Sequence, residues 1–359
     1  MRFLCLTLMS CILSHSAFAS ASNSLLEPVP TGCQDLGALR SKPIALTGKI
    51  FANYLPDGKR YTKRFPLQPP DLFEVGILDL ANPTAGIQRL TQDGVNDSEI
   101  AVSPDGKKIV WSRRPLLGNF EGDNSIVMAN PDLTDMITLA YGKSTYLGIP
   151  TFVPPLGQEV VFSQQGEKDE FTKLVFHNLS TGQKRELKTT FKGSIGDPQI
   201  SPDGKLVAFK SYEQKDTDEA QLYIMKINGK GVRRLTRNDY KDEDPAFSPD
   251  GKTLAFERMY GMSRHKGDHP KDDWYFKEGI VTMDLKTGKE RAVTKPDPCG
   301  KNEFWLPTWS PDGELIMFTR GLHLENGEFA HDLWVMRKDG SDLQKVAGSD
   351  GIMFFDWVY

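Results

Sequence analysis

The chain has 359 residues and a formal net charge of −4, with 44 Lys and Arg against 48 Asp and Glu. This balance argues against a nucleic-acid-binding protein, which usually carries a marked basic excess. Hydrophobic residues make up 38% of the chain and charged residues 26%, a composition that favours a packed core over disorder. The 32 Gly and 23 Pro indicate a structure rich in turns.

The first 19 residues are predicted to be a secretory signal peptide. Arg2 precedes an apolar run from Phe3 to Leu13, and Ala17-Phe18-Ala19 has the small-x-small pattern of a cleavage site. The run is too short to span a bilayer, and no later apolar stretch approaches 18 residues, so no transmembrane segment is expected. Residues 20–47 are then an N-terminal extension, and we expect the protein in the periplasm or secreted.

The four cysteines fall into two pairs. Cys5 and Cys11 lie in the predicted signal peptide, and the residues before Cys11 are similar to a lipoprotein acceptor site, so lipidation of Cys11 is an alternative. Cys33 and Cys299 remain after cleavage, and an even pair in an exported chain predicts a disulfide. Two independent thiols are the other interpretation, because the sequence gives no distance between the sulfurs.

Residues 48–359 are predicted to be one domain built from a repeated unit. Four Ser-Pro-Asp-Gly tetrapeptides, each followed by a β-rich apolar run, begin at Ser103, Ser201, Ser248 and Ser310. Pro suits the second position of a type I turn, Asp the third, and Gly accepts the left-handed conformation that follows. Each copy therefore predicts a tight hairpin between two strands, which we call a and b.

A second hairpin completes each unit with strands c and d. Gly follows Asn228, Thr287 and Asp339 between β-rich runs, which is a strong hairpin signal. The turns at Ser201 and Ser248 are 47 residues apart, and the longer interval before Ser201 leaves room for one degenerate unit. Four-stranded antiparallel units at this period predict an all-β fold, the β-propeller.

The two ends of the repeat region predict how the propeller closes. Residues 48–52 match a strand b that has no strand a, whereas residues 355–359 match a strand a. We therefore expect the C-terminal strand to complete the first blade, which gives six blades and no open edge. The alternative takes Pro56-Asp57-Gly58 as the first blade's own turn, but residues 59–64 after it form a poor core strand.

These repeats resemble the TolB-like, or PD40, β-propeller family. The features that match are the Ser-Pro-Asp-Gly turns, Arg-Leu-Thr at 89–91 and 234–236, and the aromatic residue Trp309 before a turn. The resemblance implies a propeller over residues 48–359 and specifies function only poorly. TolB itself has an additional α/β domain before its propeller and binds a peptidoglycan-associated lipoprotein. Residues 20–47 are too few for such a domain, so we expect a lone propeller.

Three acidic residues, Glu99, Asp197 and Asp244, occupy the same repeat position, predicted to lie just before strand a. Repeat geometry should bring them toward the channel mouth, where Ca²⁺, another divalent cation or a basic group could bind. The alternative is structural: each carboxylate accepts backbone N–H groups and locks the turn between strands d and a.

The connections between strands b and c are predicted to be long, irregular loops, at about 113–124, 258–277 and 319–331. Loops on a rigid scaffold commonly carry binding sites. The candidate ligand-binding residues in these loops are Arg264, His265, His269, Asp272, Trp274, His323 and His331. Imidazole and carboxylate groups suit a metal site or an acid–base pair. A solvated, charged loop is the other interpretation.

We expect an exported, monomeric, non-catalytic propeller that binds a protein or a cell-envelope glycan through its loop-rich face. The chain has no Gly-x-Ser-x-Gly elbow, and no catalytic residue is assigned. Some PD40-like propellers are oligosaccharide lyases with His ligands and a divalent metal. The resemblance therefore implies a carbohydrate-active lyase or hydrolase-like enzyme as one alternative. A calcium-stabilised structural propeller is the other.

Overall fold

The structure is a computed structural model that describes residues 42–56, 72–114, 123–212, 220–264, 274–297, 302–323 and 329–358. Within these ranges it contains 24 β-strands and one short 3-10 helix, Pro83–Ala85. None of the helices described is long and apolar enough to cross a membrane. The predicted all-β class is confirmed.

The strands form six four-stranded antiparallel sheets, which we call blades 1 to 6 in chain order. Blade 1 contains β1 (Lys49–Tyr54), β2 (Glu74–Asp79) and β3 (Ile87–Arg89); blade 2 contains β4 (Asn96–Val102), β5 (Ile109–Arg114), β6 (Asp123–Ala129) and β7 (Ile137–Lys143). Blade 3 contains β8 (Thr145–Phe152), β9 (Glu159–Gly166), β10 (Lys173–Asn178) and β11 (Lys184–Glu186); blade 4 contains β12 (Gly196–Ile200), β13 (Leu206–Tyr212), β14 (Ala220–Lys226) and β15 (Arg233–Arg234). Blade 5 contains β16 (Lys241–Phe247), β17 (Thr253–Arg264), β18 (Trp274–Asp284) and β19 (Glu290–Ala292); blade 6 contains β20 (Asn302–Trp309), β21 (Leu315–His323), β22 (Phe329–Arg337) and β23 (Gln344–Lys345).

The last strand, β24 (Ile352–Val358), closes the propeller as strand a of blade 1. It pairs antiparallel with β1, with Val358 opposite Lys49 and Phe355 opposite Ala52. The predicted closure is therefore confirmed, and residues 57–64, on which the alternative closure depends, lie outside the described residues. The degenerate unit expected before Ser201 is blade 3.

The four Ser-Pro-Asp-Gly turns have the same hydrogen bonds. In each, the Ser hydroxyl donates to the Asp carboxylate at 2.6–2.7 Å, and the Gly N–H donates to the Ser carbonyl at 2.8 Å. The Arg-Leu-Thr ends also have a structural reason, since the hydroxyls of Thr91 and Thr236 accept N–H groups of strand c at 2.8 and 3.0 Å. The repeated motifs thus encode turns and strand ends.

The core lies between neighbouring blades. Strand b carries a fully buried aromatic side chain in five blades: Trp111, Phe162, Phe209, Phe256 and Phe318. Phe209 of blade 4, for example, packs in one cluster with Val161 and Leu174 of blade 3. Each sheet therefore buries both of its faces against neighbours, as a propeller requires.

The described end of the N-terminal extension packs on the outside of the closure. The Ile44 N–H donates to the Gln344 side-chain carbonyl, and the Gln344 amide donates back to the Ile44 carbonyl, both at 3.1 Å. The Trp357 indole donates to the Thr47 carbonyl at 3.1 Å. Residues 42–47 thus link blade 6 to the closing strand. The signal peptide and Cys33 lie outside the described residues.

Candidate functional site

The innermost strand, strand a, contains a β-bulge with a left-handed residue in five of the six blades. These residues are Glu99, Ile149, Asp197, Asp244 and Leu306, with φ between 45° and 59°, and we call them the bulge ring. The pairing register with strand b shifts at each of them. Left-handed backbone is uncommon outside glycine and unfavourable for β-branched residues, so its recurrence marks the bulge as a feature of the fold.

The three acidic residues of the bulge ring lie inside strand a, so their predicted place just before it is wrong. A carboxylate is also not what gives this backbone its shape. Ile149 and Leu306 have the same left-handed conformation with aliphatic side chains. Stabilisation of the turn between strands d and a therefore does not explain why Glu99, Asp197 and Asp244 are acidic.

Glu99 connects blade 2 to blade 3. Its Oε2 accepts the backbone N–H of Ile149 at 2.6 Å and the hydroxyl of Ser112 at 2.9 Å. Its Oε1 is buried without a hydrogen bond, and its ion-pair contact with Arg114 Nη2 is long, at 3.7 Å. Burial raises the pKa of Glu99 above its ordinary value, against the opposing effect of Arg114.

Asp197 belongs to a buried ion-pair network between blades 4 and 5. Lys210, only 1% exposed, lies 2.7 Å from both Asp197 Oδ2 and Glu243 Oε1. Lys241 contacts the other oxygen of Glu243 at 2.9 Å. Burial by itself would raise the pKa of Glu243, but Lys210 and Lys241 together hold it at about 2. Both carboxylates are thus compensated inside the protein.

Asp244 lies beside Asp197 at the same depth. Burial raises the pKa of Asp244 well above its usual value, and the neighbouring Asp197 carboxyl, with which it shares a hydrogen bond, raises it further. Lys210 opposes this shift. A second negative charge beside Asp197 in a poorly solvated site is costly, which is why the neutral form of Asp244 is favoured.

A cavity of about 750 Å³ extends from the bulge ring to the turns between strands a and b. We call it the funnel. Strand a of every blade contributes to its wall, which is mainly apolar and aromatic: Val102, Phe152, Ile200, Phe247, Trp305, Trp309 and Trp357 are examples. Pro104, Pro155, Pro202, Pro249 and Pro311 form its rim, and Glu99, Asp197 and Asp244 lie at its inner end. The acids thus face a cavity on the opposite side from the predicted loop-rich face.

The histidine candidates are only partly described. His323 ends β21 and His331 lies within β22, so their predicted position in a loop is wrong. The two surround Glu303, whose Oε1 is 2.9 Å from His323 Nε2. Burial lowers the pKa of His331 to about 4, so this ring is neutral at physiological pH. Neither histidine lines the funnel.

The other loop candidates lie at or beyond the end of a long hairpin. β17 and β18 pair as far as Arg264 and Trp274, so much of the predicted loop 258–277 is strand. His265, His269 and Asp272, like Cys299, lie outside the described residues, and their binding roles and the disulfide stay predictions. Within the described part of the chain, no group of three or more His, Cys, Asp or Glu is arranged to hold a metal ion.

Lys210 and Lys241 are the important residues that sequence reasoning missed. Lys210 follows the buried Phe209 in strand b, at the place where blade 2 has Ser112. A lysine next to a core aromatic residue inside a strand was an available signal, because such residues are rarely buried unless paired. The partners of Lys210 come from other strands, so these pairs could not be read from the sequence, whereas Lys241 pairs with Glu243 two residues away in its own strand.

Comparison with known proteins supports the fold. The family model for the TolB beta propeller domain, PD40, matches residues 124–264. TolB from Acinetobacter baumannii superposes with a TM-score of 0.60 at 18% identity, covering 88% of this chain and 67% of that one. A putative TolB from Agrobacterium tumefaciens gives a TM-score of 0.51 at 18% identity, covering 81% and 98%.

A curated relative, the uncharacterized peptidase YuxL of Bacillus subtilis, is 28% identical over 194 residues. The match covers 47% of this chain but only 28% of the peptidase, so it does not assign a peptidase activity to this chain. The repeated turns, the six four-stranded blades and the C-terminal closing strand together identify the chain as a six-bladed β-propeller, and its residues 124–264 are similar to the TolB beta propeller domain.

Proposed function

We propose that the protein is an exported, non-catalytic binding protein that takes a segment of a protein ligand into its funnel. The observation that carries the proposal is the funnel itself, a cavity of about 750 Å³ lined by strand a of all six blades. This volume lies in the range typical of ligand sites. Export rests on the predicted signal peptide.

The wall of the funnel favours a protein segment over a glycan. Proline, valine, isoleucine and aromatic side chains dominate it, and many backbone polar groups there are engaged in the strand ladders. Apolar side chains of a ligand gain free energy on entering such a site, whereas sugar hydroxyls would lose hydrogen bonds to water without replacement.

The rim supports binding because it is rigid before a ligand arrives. A Cβ on Gly251 would lie 3.7 Å from the ring of Pro202, and a Cβ on Gly313 would lie 3.4 Å from the ring of Pro249. Each of these turns therefore packs against the turn of the preceding blade. A preformed rim lowers the entropy lost on association.

The residues that line the funnel do not favour catalysis. Among the described lining residues none is a histidine, cysteine or lysine, and the acidic residue Asp197 is already paired with Lys210. These residues therefore do not form a nucleophile–base pair of the Ser–His or Cys–His kind. The histidines of blade 6 lie outside the funnel wall, so the enzyme alternative draws no support from this site.

Site-specific photo-crosslinking tests the proposal and compares the funnel with the loop-rich face. A photoreactive amino acid replaces Thr308 in the funnel, Tyr240 on the connection between blades 4 and 5, or Ile137 on the outer strand of blade 2. Each variant is purified, checked for folding by circular dichroism, and irradiated in an envelope extract of its own organism.

We expect a discrete protein adduct from position 308, with little from position 137. An adduct confined to position 240 would contradict funnel binding and support the loop-rich face predicted from the sequence. Absence of an adduct at all three positions would contradict a protein-binding function. Competition by unlabelled wild-type protein controls for nonspecific capture.

A further inference from the structure

In the part of the chain that the structure describes, the ionisable side chains that line the funnel are all acidic. Among its lining residues these are Glu99, Asp105, Asp197, Asp244 and Asp356, and none is Lys, Arg or His. Asp105 lies at the exposed rim and is paired with Lys107 at 3.6 Å. The other four lie along the wall or at its inner end. In a cavity with apolar walls, charges of one sign reinforce one another and attract the opposite charge.

A buried acceptor at the inner end has no hydrogen bond within the protein. Glu99 is only 8% exposed, and its Oε1 has no hydrogen-bond partner. Arg114, its ion-pair contact, is 3.7 Å away, beyond normal hydrogen-bond distance. Buried polar atoms are normally satisfied, so an acceptor left open beside a cavity points to a donor supplied from outside.

Asp244, the carboxyl group next to Asp197, also suits a positively charged partner. Burial and the neighbouring Asp197 both raise the pKa of Asp244, which favours its protonated form. A cation that arrived there would replace this proton as the compensating charge, because an opposite charge nearby favours the ionised carboxyl. Lys210 is committed to Asp197 and Glu243 at 2.7 Å each and does not line the funnel.

We propose that the inner end of the funnel binds a basic side chain, Lys or Arg, of the ligand segment, through Glu99 and Asp244. This inference rests on the proposed function and names the chemistry of the segment. The aliphatic stem of such a side chain packs along the apolar wall while its charged end reaches the acids. Trp305, close to the inner end, is an aromatic surface that also suits a cation.

Peptide selection tests this inference without knowledge of the natural ligand. Random heptapeptides displayed on phage are selected on the full-length protein, and the winning sequence is synthesised with its basic residue or with uncharged norleucine in that place. Calorimetry measures both peptides against wild type, Glu99→Gln, Asp244→Asn, the double variant and Glu314→Gln. Glu314 is the control because it is exposed, pairs with Lys338 and does not line the funnel.

We expect selected peptides to carry Lys or Arg flanked by apolar residues, and norleucine to weaken binding to wild type by roughly tenfold or more. In the double variant the two peptides should bind almost equally, and Glu314→Gln should behave as wild type. Peptides without a basic residue, or equal binding of the norleucine peptide to wild type, would overturn the inference. In that case an adduct from position 308 would still support the funnel as the binding site, so the two proposals fail separately.

Discussion

The bulge ring contains aliphatic and acidic residues in the same backbone conformation. Comparing them shows which features the fold requires and which it does not. Ile149 and Leu306 have the same left-handed conformation as Glu99, Asp197 and Asp244. The aliphatic members need no partner, whereas Asp197 is accompanied by Lys210, Glu99 by Arg114, and the pKa of Asp244 is raised. The fold therefore requires the bulge but not the carboxylates, and the carboxylates impose a cost that the surrounding residues offset.

The largest expected effect comes from removing the cation that compensates the acidic positions. Lys210→Met leaves Asp197 and Glu243 buried without their shared partner, and we expect it to lower the free energy of unfolding by about 3–5 kcal/mol. Lys205→Met removes a lysine that is exposed at the neighbouring turn, and it should change the free energy of unfolding by less than about 0.5 kcal/mol. Urea unfolding at neutral pH measures both. Equal effects of the two variants would show that the ion-pair network is not what supports the acids.

The next effect concerns the turns between strands a and b, which form the rim of the funnel. A Cβ on Gly204 would lie 2.2 Å from the Pro154 carbonyl, whereas a Cβ on Gly106, with the same φ of 71°, meets nothing within 4 Å. Both alanine variants should lose about 1 kcal/mol for the left-handed conformation. Gly204→Ala should lose about 1–3 kcal/mol more because its neighbour must move. Indistinguishable thermal midpoints would contradict the close packing of neighbouring turns.

The smallest effect at neutral pH, but the most specific in its pH dependence, is that of Asp244→Asn. Burial, together with Asp197, raises the pKa of Asp244 in the native state, so the native protein holds a proton that the unfolded chain releases near pH 4. Native stability due to this group is therefore greatest below pH 4 and is lost as the pH rises toward the raised pKa. Lys210 and Glu243 also face this carboxyl and shift its titration in opposite directions.

We expect Asp244→Asn to remove this part of the pH dependence and to gain stability relative to wild type as the pH rises from 5 to 8. Asp203→Asn is the control, because the Ser201 hydroxyl lowers the pKa of Asp203, so this carboxyl stays ionised in both states between pH 5 and 8 and its substitution should not change the slope. The measurement is the free energy of unfolding of wild type and both variants at several pH values between 5 and 8. A wild-type profile parallel to that of Asp244→Asn would mean that Asp244 is already ionised in the native state.

Much of the fold could be predicted because its signals are local. A Ser-Pro-Asp-Gly turn is specified by four adjacent residues, and the same hydrogen bonds form in each copy. The bulge has a weaker local signal: a proline follows the left-handed residue in four of the five blades, but the bulge residues themselves share neither charge nor shape. The Lys210–Glu243 pair joins residues of different blades, so only the assembled propeller brings them together. The funnel is likewise a product of six strands, none of which reveals it alone.

The most direct test of the central claim is to measure stability and binding in one protein, the Glu99→Gln, Asp244→Asn double variant. If these carboxyls serve the ligand rather than the fold, its free energy of unfolding at pH 7 should stay within about 1 kcal/mol of wild type per substitution. Its affinity for the selected basic peptide should fall by roughly tenfold or more. A variant that loses several kcal/mol of stability yet keeps wild-type affinity would contradict the claim.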